Sequence, residues 1–123
     1  MAQAPGEFAL SSIGQIGITV RDVKRAVSFY RDTLGLRFLF EAPNMAFFDC
    51  GGIRLMLGPG GASSILYYKV EDIQSATDAL KSRGVRFDRL PHLVAKMPGH
   101  GLWMAFFRDP EDNTLALMCE IAE

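Results

Sequence analysis

The sequence predicts an α+β chain built from two βαβββ modules, and three observations carry that prediction. The tetrapeptide MAFF stands at Met45–Phe48 and again at Met104–Phe107. Each copy leads through a polar turn, Asp49–Gly52 or Asp109–Asn113, into a run of alternating apolar residues. The junction Val20-Arg21-Asp22-Val23 recurs fifty residues later as Val70-Glu71-Asp72-Ile73. A repeat that extends through matching flanks describes an architecture rather than a coincidence.

Taken in order, Ile16, Ile18 and Val20 alternate with Gln15, Gly17 and Thr19, the period of a strand with one apolar face. Asp22 offers an N-cap carboxylate to a helix whose apolar stripe is Val23, Ala26, Val27, Tyr30 and Leu34, and Gly35 supplies the left-handed stop. Leu36–Phe40 is extended, and Pro43 with Asn44 turns the chain into MAFF. Gly51 and Gly52 permit the positive φ of a hairpin loop before Ile53, Leu55 and Leu57. The run GPGGAS at Gly58–Ser63 is the flexible spacer between halves. One domain over 1–123 therefore divides into module 1, about 13–58, and module 2, about 64–120.

The second module repeats the first with two differences. Leu66, Tyr68 and Val70 stand where Ile16, Ile18 and Val20 stood, Ala76 matches Ala26, and Gly84-Val85-Arg86-Phe87 matches Gly35-Leu36-Arg37-Phe38 with the helix one residue shorter. Six residues separate Phe38 from Met45, whereas sixteen separate Phe87 from Met104. This longer connection holds Pro91, Lys96, Pro98, Gly99, Gly101 and both histidines, His92 and His100, and reads as a loop. Connections that a scaffold does not need are where function is often placed; solvated loop histidines are the plainer alternative.

Composition bounds the function. At 123 residues and 49% hydrophobic content the chain can bury one real core. Its 13 basic and 14 acidic residues are dispersed, which argues against nucleic acid and anionic membranes as partners. Cys50 and Cys119 form no spacing framework, which suits a reducing, cytoplasmic setting. Met1–Phe8 reads as a loose leader, and Met1–Ser12 lacks the pattern of a secretory signal.

The paired βαβββ pattern, FYRDTLGL closing the first helix and DPEDNTLAL near the end resemble the vicinal oxygen chelate superfamily of glyoxalase I, bleomycin-resistance proteins and extradiol dioxygenases. The resemblance covers the chain from Ile13 onward. It implies sheets curled around a ligand cavity, with helices on the convex side. In the superfamily's enzymes four strand positions hold a divalent metal, and here they fall on Gln15, Met56, Ile65 and Ala116. Only the Gln15 amide oxygen suits such a cation, so the expectation is no metal and no other cofactor. The family's common DPxGN turn has glycine where this chain has Asp112, a change expected to affect only the turn. Asp109 and Asp112 are assigned to turn structure.

Strand parity supplies a second, independent expectation. If Ile16, Ile18, Val20, Leu55, Leu57, Leu66, Val70, Leu115 and Leu117 face the helices, the other face carries Gln15, Thr19, Arg54, Met56, Ile65, Tyr67, Lys69, Thr114, Ala116 and Met118. That lining suits a largely apolar organic ligand with an acidic or hydrogen-bonding edge. The candidate ligand-binding set is Gln15, Arg54, Met56, Tyr67, Lys69, His92, His100, Trp103 and Ala116. Each has a plainer alternative: Arg54 at a strand end reaching water, Tyr67 packing across the sheet, Trp103 closing the core or a subunit interface.

Two functional classes follow. The first is a metal-free small-molecule-binding protein of the bleomycin-resistance type. The alternative is a glyoxalase-like lyase, epimerase or dioxygenase-related enzyme whose divergent metal site uses Gln15, His92, His100 or Glu120. A purely structural or protein-interaction role is a third and weaker reading. Strand edges left by open sheets favour a homodimer.

Overall fold

The computed structural model describes residues 13–61 and 63–122; the leader read at Met1–Phe8 lies outside them. Period-two alternation in the strands has its expected effect, one face buried under helices and one left open. The first sheet contains β1 (Gln15–Thr19), β2 (Arg37–Ala42), β3 (Met45–Cys50) and β4 (Ile53–Gly58) in the spatial order β1-β4-β3-β2. The second contains β5 (Leu66–Lys69), β6 (Phe87–Met97), β7 (His100–Arg108) and β8 (Thr114–Ala122) in the order β5-β8-β7-β6. In each, the first and last strands pair parallel and the rest antiparallel. Neither sheet closes on itself.

Two helices cover the apolar faces. Helix α1 (Val23–Ser28) is capped by Asp22, which accepts from the Arg25 amide at 3.1 Å. Helix α2 (Ile73–Ser82) is capped by Asp72, which accepts from the Ser75 amide at 3.0 Å. Beneath them Ile18, Val20, Phe48, Leu55, Leu57, Phe107, Leu115 and Leu117 meet Ala26, Val27, Tyr30, Ile73 and Leu80 in one buried cluster. Each fully buried branched or aromatic side chain removes enough apolar surface to contribute about 1.5–3 kcal/mol.

The first helix does not run as an α-helix to Gly35. It passes at Phe29 into a π-helical segment, Phe29–Thr33, in which the Leu34 amide donates to the Phe29 carbonyl at 3.0 Å. A single wide turn absorbs one extra residue. This is the residue by which the first helix exceeds the second.

The sixteen-residue connection is also not the loop expected from its glycines and prolines. Strand β6 continues through Pro91 and His92 to Met97, turns at Pro98 and Gly99, and returns as β7. Gly99 takes the positive φ, 82°, that the turn needs. Strand β6 lies at the sheet edge, where a proline costs no ladder bond, and the pairing shifts register at three points along it.

A polar cluster at the β7–β8 turn ties the modules together. Asp109 is only 4% exposed, and four donors satisfy its carboxylate. The Glu111 and Asn113 amides donate to Oδ1 at 2.8 and 2.9 Å, and Asn113 Nδ2 and Tyr30 Oη donate to Oδ2 at 2.8 and 2.9 Å. Tyr30 belongs to module 1, so this turn residue is also an inter-module tie. Asn113 Nδ2 also reaches the Thr19 carbonyl at 2.9 Å. Beside it, Glu111 accepts from the backbone amides of Arg21 and Asp22 at 2.9 and 3.0 Å and from Arg25 at 3.0 Å. The second module's turn thus caps the entry to the first module's helix.

Two predictions follow from this turn. Those hydrogen bonds to its ionised form hold the Glu111 carboxyl at about 2, below the ordinary 4.5. A depressed value in the folded state means the stabilisation is complete above pH 4.5 and is lost as pH falls towards 2. Thermal melts of Glu111→Gln will show lower stability than the parent at neutral pH, with the gap closing across that interval. Asp112 has φ 64°, the left-handed region that costs a side-chain-bearing residue free energy. Asp112→Gly will therefore gain about 0.5 kcal/mol in urea unfolding, the relieved strain exceeding the added chain entropy.

Candidate functional site

The open face of each sheet can be followed row by row from the strand register. In the first sheet one row runs Gln15, Arg54, Asp49, Arg37, and the next runs Gly17, Met56, Phe47, Phe40. In the second, one row runs Tyr67, Ala116, Phe106, Arg89 and the next Lys69, Met118, Met104, His92. The alternation read from sequence thus places Gln15, Arg54, Met56, Tyr67, Lys69 and Ala116 on the faces away from the helices.

The first sheet holds the more organised of the two faces. Arg54 Nε donates to Gln15 Oε1 at 2.9 Å, and its guanidinium carbon lies 5.5 Å from the centre of the Phe47 ring. A cation placed over an aromatic face is held by the ring's negative quadrupole. Phe47 in turn stacks on Phe40, ring centres 4.6 Å apart and planes at 26°. Met56 completes the platform, within 3.8 Å of the Gln15 amide nitrogen. Among the described residues no carboxylate forms an ion pair with Arg54, and its two terminal nitrogens make no hydrogen bond. The guanidinium is fixed at Nε with its outer edge still able to donate.

The second sheet's face sets aromatic rings among Lys69, Arg89 and His92. Tyr67, 47% exposed, meets Phe106 edge to face at 6.5 Å, and Phe106 also has the His92 ring 6.2 Å away. His92 Nδ1 lies 2.8 Å from the Leu90 carbonyl, a contact that restrains the ring. His100 is elsewhere. Its Nε2 approaches Glu120 Oε2 at 3.4 Å, and it starts β7 four residues before Met104, the ladder partner of His92. At strand rise the two histidines are about 13 Å apart along the sheet, so they do not converge as an acid and base pair. Trp103 faces the other way, opposite Cys119 in the ladder and packed against the core. Ala116 is fully buried.

Phe40, Phe47 and Phe106 were not among the residues singled out from sequence. The signal was present in MAFF itself, since alternation that buries Phe48 and Phe107 must turn Phe47 and Phe106 outward.

The donors at the four superfamily metal positions do not fit a divalent cation. The Gln15 amide oxygen, the one suitable ligand, already accepts from a guanidinium, and a metal beside Arg54 would meet a like charge. Met56 offers only a thioether, Ile65 is a hydrocarbon, and Ala116 is a methyl group beneath the surface. Among the described residues no three His, Cys, Asp or Glu side chains gather at one point.

With this geometry in view, comparison with known proteins is specific. The model of the Glyoxalase/Bleomycin resistance protein/Dioxygenase superfamily matches residues 12–117. The chain belongs to that superfamily. The Bacillus subtilis (strain 168) protein YraH is 29% identical, covering 84% of this chain and 94% of its own. A superfamily member from Sphaerobacter thermophilus DSM 20745 is 29% identical, with a TM-score of 0.72 and coverage of 90% of this chain and 98% of its own. The lactoylglutathione lyase of Agrobacterium tumefaciens has a TM-score of 0.75 over 89% of this chain and 94% of its own. At 20% identity that last likeness concerns the fold alone. Among the described residues no helix is long and apolar enough to cross a membrane.

Proposed function

We propose that this superfamily member is a binding protein for a small organic anion with a flat apolar body, and that it works without a divalent metal. One observation carries the reading: Arg54 is held at Nε by Gln15 and seated over Phe47, while its terminal nitrogens carry no partner among the described residues. A guanidinium fixed in this way loses little freedom when it takes a carboxylate in a two-pronged contact. The stacked Phe47 and Phe40 rings and Met56 extend beside it as a surface for the ligand's body. An adaptable thioether next to a rigid ring favours a class of ligands over a single compound.

The enzyme reading draws on His100 and Glu120, whose side chains approach to 3.4 Å on the second sheet. Two donors with no third among the described residues make a weak metal site.

The test is calorimetric titration with 1-naphthoate in metal-free buffer. The expected outcome is saturable binding that weakens at least about tenfold in Arg54→Met and falls with added salt. Binding that survives Arg54→Met unchanged would overturn it, as would a stoichiometric metal lost on His100→Ala. We also propose a homodimer, since Leu90, Leu93 and Val94 are 42–54% exposed along the edge strand β6. Light scattering at micromolar concentration is expected to give twice the chain mass, and Val94→Lys to shift it towards the monomer.

A further inference from the structure

The row that holds Arg54 carries charges of both signs. Across the four strands it runs Gln15, Arg54, Asp49, Arg37, so the Asp49 carboxylate stands between two cations. Opposite charges directly across an antiparallel ladder, with Cβ atoms about 4.5–5.5 Å apart, ordinarily attract each other into a pair. Here they do not close. Among the described residues Asp49 forms no ion pair and its carboxylate accepts no hydrogen bond, although the residue is partly buried. The second module supplies the contrast. Counting from MAFF, Arg108 occupies the position of Asp49, and its Nε donates to Asp88 on the adjacent strand at 2.9 Å. In that copy the charged neighbours meet.

Two contacts hold Arg54 back from Asp49. Gln15, on the opposite side of β4 from Asp49, accepts from Nε at 2.9 Å, and the Phe47 ring lies 5.5 Å from the guanidinium carbon. The terminal nitrogens of Arg54 and the oxygens of Asp49 are thereby left as donors and acceptors at neighbouring positions. A plain anion gains the Arg54 contact but meets Asp49 as a like charge. A molecule with a carboxylate and an ammonium on one carbon gains from both. Along β3, Phe47 shares the open face with Asp49 about 7 Å away at strand rise, and it leads to Phe40 and Met56. Apolar surface that begins one side-chain length from the two charges suits a flat side chain on that same carbon.

We propose that the ligand of this face is an α-amino acid with an aromatic side chain, its carboxylate on Arg54, its ammonium on Asp49 and its ring along Phe47 and Phe40. The proposal rests on the Arg54 reading and narrows it. Arg54 holds any carboxylate, and Asp49 selects the one that also carries an amine. Gln15 is a positioning residue that keeps the two charges apart.

The experiment is calorimetric titration of the protein, in metal-free buffer at neutral pH, with L-tryptophan, with indole-3-propionate, which lacks the amine, and with tryptamine, which lacks the carboxylate. Tryptophan is expected to bind at least about fivefold tighter than either of the others. Asp49→Asn removes a charge but no hydrogen bond, and is expected to leave the melting temperature unchanged. It should weaken tryptophan about fivefold and leave indole-3-propionate unchanged or tighter. Arg54→Met should weaken both. The proposal alone is overturned if indole-3-propionate binds as tightly as tryptophan and still depends on Arg54, or if Asp49→Asn changes the two alike. Binding of both that is indifferent to Arg54→Met overturns the Arg54 reading with it. Failure of tryptophan to bind at millimolar concentration also overturns the proposal, and the Arg54 reading then stands or falls by the naphthoate titration.

Discussion

The hydrogen bond between Tyr30 and Asp109 is the constraint on which the two halves of this protein depend. It is a buried, charge-assisted bond between a helix of one module and a turn of the other. Around it the DPEDN turn directs donors inward to Asp109 and an acceptor outward to the entry of α1 through Glu111. Breaking such a network leaves a carboxylate buried without its donors, which costs more than the bond itself contributes. The pairing of the modules is therefore specified by polar groups, while the apolar cluster around them supplies the bulk of the stability.

Each module bears its load differently although the sequence repeats. The first carries on its open face a guanidinium tied to an amide and seated over two stacked rings, with a thioether beside it; the second carries a phenol, a buried alanine and an aromatic ring, with Lys69, Arg89 and His92 in the same rows. Duplication supplied one scaffold twice, and the departures from the repeat mark where the copies took separate roles. Met56 against Ala116 and Cys50 against Asp109 are such departures. The first pair bears on the open faces, the second on the seam.

Much of this was legible in the residues. Alternation assigned Ile18, Leu55 and Leu117 to the core and Gln15, Arg54 and Tyr67 to the other face, because a strand's side-chain period is two and one face is buried. What local pattern could not carry was partnership at long range. Asp109 reads as a turn residue from its neighbours, and only the fold brings Tyr30 to it from 79 positions away. The β6–β7 connection misled for the converse reason. Pro91 and Gly99 are breakers in a central strand, yet an edge strand tolerates one and a hairpin tip requires the other. Trp103 is a milder case: alternation with Ala105 and Phe107 places it on the core side once β7 is seen to begin at His100 rather than at MAFF.

The wide turn at Phe29–Thr33 has a meaning of its own. Because the surplus residue is taken up as looser winding, both ends of the segment stay in place: Asp22 keeps its cap and Leu36 still donates to the Tyr30 carbonyl at 2.9 Å. A length change in the gene has been converted into a local change of pitch. The coil acts as a spacer that kept an old assembly in alignment while one of its copies drifted.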